Sequence, residues 1–130
     1  MKYLGIDYGI KRIGVAISST DGLFAFPKMI IKNTKNQTEI FSTLRKIIKN
    51  EDVKEIVIGE SLDYNGKQNK IMKEIKIFAQ KVQENFSLPV RFEKEFLTSV
   101  EARRYKENGV EADDSASALI LQRYLDRINK

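Results

Sequence analysis

Two short apolar runs joined by a charged, glycine-containing turn open the chain and constrain its fold more than any other stretch. The first run, residues 2–6, is followed directly by Asp7, and the second run begins at Ile13, shortly after Gly9. Two β-prone runs separated by a few residues that include glycine predict a β-hairpin. The sequence therefore predicts a sheet whose first strand ends in an aspartate.

Asp7 is the first candidate for a functional residue. A carboxylate at the end of a buried strand loses hydration unless it pairs with a cation or holds a metal ion. An aspartate close to a glycine can also have a purely local role, in which its side chain accepts hydrogen bonds from the turn. This stretch alone leaves both interpretations open.

The chain contains no histidine and no cysteine among its 130 residues. Without histidine it lacks the commonest acid–base side chain, imidazole metal ligands and every Ser-His or Cys-His nucleophile. Without cysteine it has no disulfide framework and no thiolate zinc site, which fits a reducing compartment. An enzyme built from this chain must use carboxylates, Lys, Arg, hydroxyl groups or a metal ion that prefers oxygen ligands.

Length and charge limit how many domains the chain forms and which kinds of partner it binds. A chain of 130 residues is most economically one domain, residues 1–130. No apolar stretch approaches the roughly 20 residues that a transmembrane helix needs, and the N-terminus lacks a signal peptide's apolar core. We therefore expect a cytoplasmic protein with no membrane partner, present as a monomer or weak homodimer. The net charge of +5 suits a polyanionic partner.

Hydrophobic periodicity predicts the element order βββαβαβαα. Pro27 interrupts the third strand, so that strand should lie at a sheet edge or begin regular pairing only at Lys28. Two apolar runs at helical spacing, each followed by a β-prone run, predict crossovers and a sheet that turns parallel. This order predicts an α/β fold with a five-stranded mixed sheet and helices on both faces. The predicted strands are residues 2–6, 13–19, 23–31, 54–59 and 88–92, and the predicted helices are residues 37–49, 67–86, 99–109 and 113–128.

In the last predicted helix we expect five apolar residues to be buried, namely Leu119, Leu121, Tyr124, Leu125 and Ile128.

Three acidic residues stand at predicted element ends that this topology can bring together. Asp7 closes the first strand, Glu95 follows the fifth strand, and Asp114 opens the last helix. In open α/β sheets the ligand crevice lies beyond the carboxyl ends of the parallel strands. Because no histidine is available, a carboxylate cluster at such a crevice is best explained by Mg²⁺ or Mn²⁺.

Simpler explanations exist for two of these acids, and a fourth acid competes with them. Asp114 can stabilise the helix N-terminus through its negative charge alone. A glutamate between a strand and a helix, such as Glu95, is commonly just exposed. Glu60, at the end of the fourth strand, is as well placed as Glu95, and spacing does not choose between them.

A carboxylate site of this kind suits phosphodiester hydrolysis. Two divalent ions about 3.5–4 Å apart can activate the attacking water and stabilise the leaving oxygen. Lys11 and Arg12, beside Asp7, could hold the phosphate, and other exposed lysines could follow a nucleic-acid backbone. Tyr8 could stack on a base, although an aromatic residue beside a turn also packs locally.

Four segments along the chain have counterparts, in the same order, in one known family. The opening GIDYGIKRIGVA and the closing DSASALILQRYLD match the family's first hairpin and last helix closely, and IVIGESLDYNG and LPVRFEKEFLTSVEA match it partly. On these motifs the chain resembles the YqgF/RuvX family of RNase H-fold proteins, relatives of the Holliday-junction resolvase RuvC.

The resemblance implies an RNase H-like fold with a divalent-metal site made of Asp7, Glu95 and Asp114. It also implies a cytoplasmic nuclease associated with maturation of the 5′ end of pre-16S ribosomal RNA. Branched DNA is a second substrate that the resemblance implies.

Departures from the family pattern affect the predicted site. Lys94 and Phe96 flank Glu95 where the family has Asp and Arg. Glu60-Ser61 stands where the family usually has Leu-Pro, which restores a carboxylate at a place where RuvC carries one. Residues 109–113 are short and acidic, whereas the family commonly has a longer basic loop.

Two other functions compete with a nuclease. A noncatalytic RNA-binding factor in ribosome assembly would use the same basic surface with a degraded site, as the residues beside Glu95 suggest. An ATP-binding phosphotransfer domain is the other, because Asp-x-Gly followed by Gly-Val-Ala also resembles the phosphate hairpin of the actin and sugar-kinase superfamily. Those proteins close two such domains around ATP, whereas this chain has the length of one.

Overall fold

A five-stranded sheet carries the fold. The computed structural model describes residues 1–62, 71–96 and 113–130, with the backbone alone at residues 62, 95, 96 and 113–115. Its elements are β1 (Lys2–Tyr8), β2 (Arg12–Ser18), β3 (Ala25–Lys32), α1 (Gln37–Glu51), β4 (Val53–Leu62), α2 (Met72–Phe86), β5 (Val90–Phe96) and α3 (Asp113–Ile128). None of the helices in these ranges is both long and apolar enough to cross a membrane.

The sheet is mixed, as the sequence predicts. Its strand order is β3-β2-β1-β4-β5. The meander β1–β2–β3 is antiparallel, whereas β1 pairs with β4 and β4 pairs with β5 in parallel. Because β1, β4 and β5 run in the same direction, their carboxyl ends lie at one edge of the sheet.

Helices cover both faces of the sheet, and strand alternation divides the core between them. On the face covered by α1 and α2, the α1–α2 face, alternate residues of β1 and β4 such as Ile6 and Ile58 join one apolar cluster. On the opposite face, the α3 face, Tyr3, Ala16 and Val57 pack against α3. These two clusters confirm the predicted layers.

Pro27 lies at the sheet edge, which confirms one of the two expectations raised for it. β3 has only β2 as a neighbour, and its pairing already begins at Ala25. The register shifts by one residue between Val15 and Ala16, so Lys28 is the extra residue of a β-bulge. Pairing of β3 with β2 therefore begins before Lys28.

The predicted ends of β4 and β5 are wrong. β4 continues from Gly59 to Leu62, and β5 spans Val90–Phe96 instead of ending at Phe92. Glu60 and Glu95 consequently lie within strands, not after them. The two strands continue to pair beyond the apolar core, through Leu62 and Phe96. Most residues of this extension are polar, so the sequence lacks the apolar pattern that predicts a strand there.

Helix ends and helix faces bring further corrections. The second predicted helix starts at Met72, and residues 67–70, like the predicted helix at 99–109, lie outside the described residues. In α3, Leu119 and Ile128 were expected to be buried, but they are 37% and 41% exposed. The sheet-facing side of the described part of α3 consists of Ala116, Ser117, Ile120, Leu121, Tyr124 and Leu125. The i, i+1, i+4, i+5 spacing of that side leaves position 119 facing away, whereas Ile128 continues the stripe but is the last residue of the helix.

Candidate active site

The turn between β1 and β2 is held by backbone and side-chain hydrogen bonds. The Gly9 N–H donates to the Arg12 carbonyl at 2.9 Å, and a Cβ on Gly9 would lie 2.6 Å from that oxygen, so only glycine fits. Asn33, just after β3, donates its side-chain amide to the Gly9 carbonyl at 2.8 Å and its backbone N–H to the Lys11 carbonyl at 2.9 Å. The tip of the hairpin is therefore fastened to the end of β3.

Asp7 lies on the α3 face near the carboxyl end of β1. It is half-buried and pairs directly with Gly14 of β2. On its other side, the parallel register that joins Ile6 to Ile58 brings Gly59 of β4 next to it. Because both neighbours are glycines, neither of these two strand positions places a side chain beside Asp7.

Helix α3 runs antiparallel to β1 and points its N-terminus toward the carboxyl end of that strand. The rings of Tyr3 and Tyr124 lie 6.0 Å apart, whereas a Cβ on Gly5 would lie 2.8 Å from Leu121 Cβ and 3.1 Å from the Ser117 carbonyl oxygen. Moving toward the carboxyl end of β1 thus means moving toward the start of α3. The absence of a side chain on Gly5 is what permits this close approach.

Asp114 is the second residue of α3, on the side of the helix that faces the sheet. It precedes Ser117 by three residues and Leu121 by seven, the spacing of one helical stripe. From the contact at Gly5, Asp7 lies two strand residues further on, about 6.6 Å. Asp114 lies three helix residues beyond Ser117 in the same direction, about 4.5 Å. The two aspartates therefore occupy the same face and the same end of the fold.

Strand register separates Glu95 from Glu60, which spacing in the sequence does not. In the pairing of β4 with β5, Glu60 is opposite Lys94 and Ser61 is opposite Glu95. Glu60 alternates with Ile58 and so belongs to the α1–α2 face. Position 95 alternates with Glu93, whose carboxylate reaches α3, and so belongs to the α3 face that carries Asp7.

Polar contacts connect α3 to β4 and β5 along the same face. Arg127 donates to one oxygen of Glu93 from Nε at 3.1 Å and from Nη2 at 2.5 Å. The Tyr124 hydroxyl donates to Glu55 at 3.1 Å, and burial followed by this hydrogen bond raises the pKa of Tyr124. Glu93 is thus already neutralised by a cation from α3.

The predicted substrate-binding residues divide between the two faces. Arg12 begins β2 two residues before Gly14, so it shares the face of Asp7, and Lys11 is exposed in the turn beside it. The Tyr8 ring lies on the other face, 4.8 Å from the ring of Phe78, with the Lys35 Nζ 5.7 Å from its centre. These contacts favour local packing of Tyr8 over base stacking.

Sequence reasoning missed the role of Asn33, which it treated as the start of a polar break. An asparagine directly after a strand can bond to neighbouring backbone groups, and this is the signal that could have identified it. No group of three acidic side chains suited to a metal ion occurs among the described side chains, which exclude those of Glu95 and Asp114. The backbone positions of these residues are therefore the relevant geometry.

Relatives of known sequence cover nearly the whole chain. A protein of Maridesulfovibrio salexigens is 36% identical over 135 residues, covering 98% of this chain and 99% of the relative. A protein of Lawsonia intracellularis is 35% identical over 135 residues, covering 98% of this chain and 94% of the relative. Both relatives are named for a pre-16S rRNA nuclease activity.

Solved structures agree with the fold. Thermus thermophilus RuvC in complex with a Holliday junction substrate superimposes with a TM-score of 0.59 at 18% identity, covering 96% of this chain and 94% of that chain. The chain thus has the RNase H-like fold that the sequence predicts.

A family profile covers the same extent and confirms the resemblance seen in the sequence. The profile of the RuvX family, described as Holliday junction resolvase, matches residues 1–127. With relatives at this identity over nearly full length, the chain belongs to the RuvX family.

Proposed function

We propose that this chain is a divalent-metal-dependent nuclease, a single domain spanning residues 1–130, whose site is formed by Asp7, Glu95 and Asp114. The observation that carries the proposal is the common edge of the sheet. There the carboxyl ends of β1, β4 and β5 meet the N-terminus of α3, and all three acidic positions belong to the α3 face. The family and the names of the relatives are those of nucleases, which supports the same function.

The donor set suits Mg²⁺ or Mn²⁺. Three carboxylates in a chain without histidine or cysteine provide only hard oxygen ligands, which these ions prefer. When bound, such an ion activates the attacking water and stabilises the charge on the leaving oxygen. Lys11 and Arg12 hold the phosphate beside Asp7, and Gly14 and Gly59 leave space for it on either side.

One of the two residues beside Glu95 that depart from the family pattern lies away from this site. Lys94 replaces an expected aspartate, but it pairs with Glu60 and belongs to the α1–α2 face. The exchange therefore removes no carboxylate from the face that carries Asp7. This observation favours an active nuclease over a noncatalytic RNA-binding factor.

The 5′ end of pre-16S ribosomal RNA is the proposed substrate, because the relatives are named for a nuclease acting on that RNA. Branched DNA is the second proposed substrate, because the family is described as Holliday junction resolvase. A cytoplasmic location as a monomer or weak homodimer accords with this role.

Replacing Asp7 tests the proposal directly. With Mn²⁺ or Mg²⁺, the purified protein should cleave structured RNA or branched DNA, and Asp7→Asn should reduce the rate at least about 100-fold because a metal ligand is lost. Glu95→Gln should have a similar effect. Glu60→Gln is the matched control: it should retain activity, because Glu60 lies on the opposite face. Circular dichroism of each variant checks that the fold persists.

The outcomes separate the competing functions. Cleavage that survives in Asp7→Asn would come from another site or from a contaminant. A wild-type protein that binds RNA but cleaves it with neither ion would make the noncatalytic factor the correct function. If Glu60→Gln loses cleavage activity and Glu95→Gln retains it, Glu60 is the metal ligand and Glu95 is not.

A further inference from the structure

An open groove lies between the tip of the β1–β2 hairpin and the end of β3. It has a volume of about 510 Å³, and its lining residues are Ile10, Lys11, Arg12, Ile30, Lys32 and Asn33. Three of these residues are cationic and none is acidic. The groove therefore has the charge of a site for a polyanion.

Strand register concentrates the positive charge. Arg12 of β2 is directly opposite Lys32 of β3, and both are exposed. A phosphate bound at this place would be within reach of both cationic side chains, and Lys11 adds a third cation at the tip of the hairpin.

Apolar side chains lie among these cations. Ile10 is 61% exposed and Ile30 is 39% exposed. A duplex presents phosphates at its surface and keeps its bases stacked inside, so it offers these side chains nothing apolar to contact. An unpaired strand presents base and sugar faces beside its phosphates. The mixture of cationic and apolar side chains therefore fits an unpaired strand better than a duplex.

The groove is held in shape before any ligand arrives. Asn33 is only 8% exposed, and its hydrogen bonds to the carbonyls of Gly9 and Lys11 join the two walls. A preformed site loses less conformational entropy on binding than a mobile one. The apolar and cationic side chains thus project from a fixed backbone.

The groove adjoins the candidate active site on the same face of the sheet. Asp7 pairs with Gly14, and Arg12 lies two residues from Gly14 along β2, about 7 Å away. Lys32 is one further strand spacing away, about 5 Å. Lys32 is thus two strand spacings and two residues from Asp7, about 12 Å, which corresponds to roughly three or four nucleotides of a stacked strand at about 3.4 Å each.

We propose that this groove binds an unpaired segment of the substrate nucleic acid, about three or four nucleotides from the scissile bond. The location beside the scissile bond rests on the proposed nuclease function, whereas the binding of an unpaired strand does not. The substrate class is therefore a duplex or branched nucleic acid that carries a single-stranded extension.

Binding measured without divalent ions tests the groove separately from cleavage. Fluorescence anisotropy in EDTA would compare a blunt RNA duplex with the same duplex carrying a single-stranded overhang. Lys32→Gln should weaken binding of the overhang probe about three- to tenfold and reduce the salt slope by about 0.7, the value for one lost single-strand phosphate contact. Ile10→Ser should reduce the preference for the overhang probe without changing the salt slope.

Two variants on other surfaces serve as matched controls. Lys46→Gln removes an exposed lysine from α1, and Ile77→Ser removes from α2 an isoleucine that is 54% exposed. Both should bind the two probes as the wild type does. Thermal unfolding of all four variants checks that the substituted chains remain folded.

The inference is overturned if Lys32→Gln and Ile10→Ser bind both probes as tightly as the wild type does. It is also overturned if these variants lose affinity equally for the blunt and overhang probes, since the groove would then bind any backbone. If Ile10→Ser changes the self-association of the free protein but leaves RNA binding unchanged, then Ile10 contacts a second copy of the protein and not the nucleic acid, and the inference is wrong. If the wild type binds the overhang through this groove but cleaves nothing with Mn²⁺ or Mg²⁺, the proposed nuclease function is wrong, whereas the proposed binding of an unpaired strand is supported.

Discussion

At the scale of single residues, Asn33 connects parts of the chain that local sequence does not connect. Its side chain donates to the Gly9 carbonyl at 2.8 Å and accepts from the Lys35 N–H at 3.3 Å. Its own N–H donates to the Lys11 carbonyl. One buried amide thereby organises the turn that follows Asp7.

Asn33→Ala should lower the free energy of unfolding by about 1–3 kcal/mol, because the partly buried Gly9 carbonyl loses its donor. Urea unfolding followed by circular dichroism measures the change. Asn85→Ala is a suitable comparison, because the exposed Asn85 side chain donates to the Lys81 carbonyl of its own helix. That change should stay within about 0.5 kcal/mol. Equal stability of Asn33→Ala and the wild type would contradict the role assigned to Asn33.

At the scale of elements, the contact between α3 and β1 determines where the acidic N-terminus of α3 lies. Gly5 permits the contact, since a Cβ there would be 2.8 Å from Leu121 Cβ. The Tyr3 and Tyr124 rings meet further along the same pair of elements, 6.0 Å apart. The distance between Asp7 and Asp114 therefore depends on residues that are themselves apolar or lack a side chain.

Gly5→Ala should destabilise the protein by about 1–3 kcal/mol through overpacking and should also reduce cleavage, because α3 must move away from β1. Leu121→Ala alone should cost about 2–5 kcal/mol through the cavity it leaves. The double variant should cost less than the sum of the two, because removal of the Leu121 side chain makes room for the new methyl group. Urea unfolding of all four proteins gives the coupling free energy. Additivity within about 0.5 kcal/mol would show that the two residues do not interact.

At the scale of the whole molecule, the α3 face joins the two ends of the chain to its middle. Tyr3 is in β1, Tyr124 is near the C-terminus, and Glu55 of β4 accepts a hydrogen bond from Tyr124. Burial, followed by the negative charge of Glu55, raises the pKa of Tyr3, and the pKa of Tyr124 is raised as well. Ionisation of either phenol would oppose the assembly of this face.

Stability should therefore fall at alkaline pH. In the unfolded chain the Tyr124 phenol ionises near its ordinary value of 10.0, whereas the folded protein keeps the proton. The folded state then binds more protons, so the free energy of unfolding decreases as pH rises above about 10 and through the folded pKa. Tyr124→Phe should be less stable at neutral pH by about 1 kcal/mol, because the hydrogen bond to Glu55 is lost.

The measurement is urea unfolding of wild type and variant from about pH 8 to about pH 11. The alkaline decrease should be shallower in Tyr124→Phe than in the wild type. Tyr3→Phe should change the slope in the same direction. An identical alkaline slope in all three proteins would contradict the assignment.

Much of the fold could be predicted from the sequence, because helices and strands with one buried face have a local pattern. The first hairpin, the edge position of Pro27 and the start of α1 at Gln37 follow from such patterns. The extended ends of β4 and β5 do not, because their last residues are polar and are held in the strand by pairing with each other. The sheet-facing side of α3 was likewise predicted only in part.

By itself the sequence determined the class of chemistry, since a chain without histidine and cysteine, with Asp7 at a strand end, leaves oxygen ligands and hard cations. Only the tertiary structure decided the strand register, which puts position 60 on one face of the sheet and position 95 on the other. It also decided that Arg12 faces Lys32. The physical reason is that residue types and their periodicity are local properties, whereas register is set by pairing between strands that are distant in the chain.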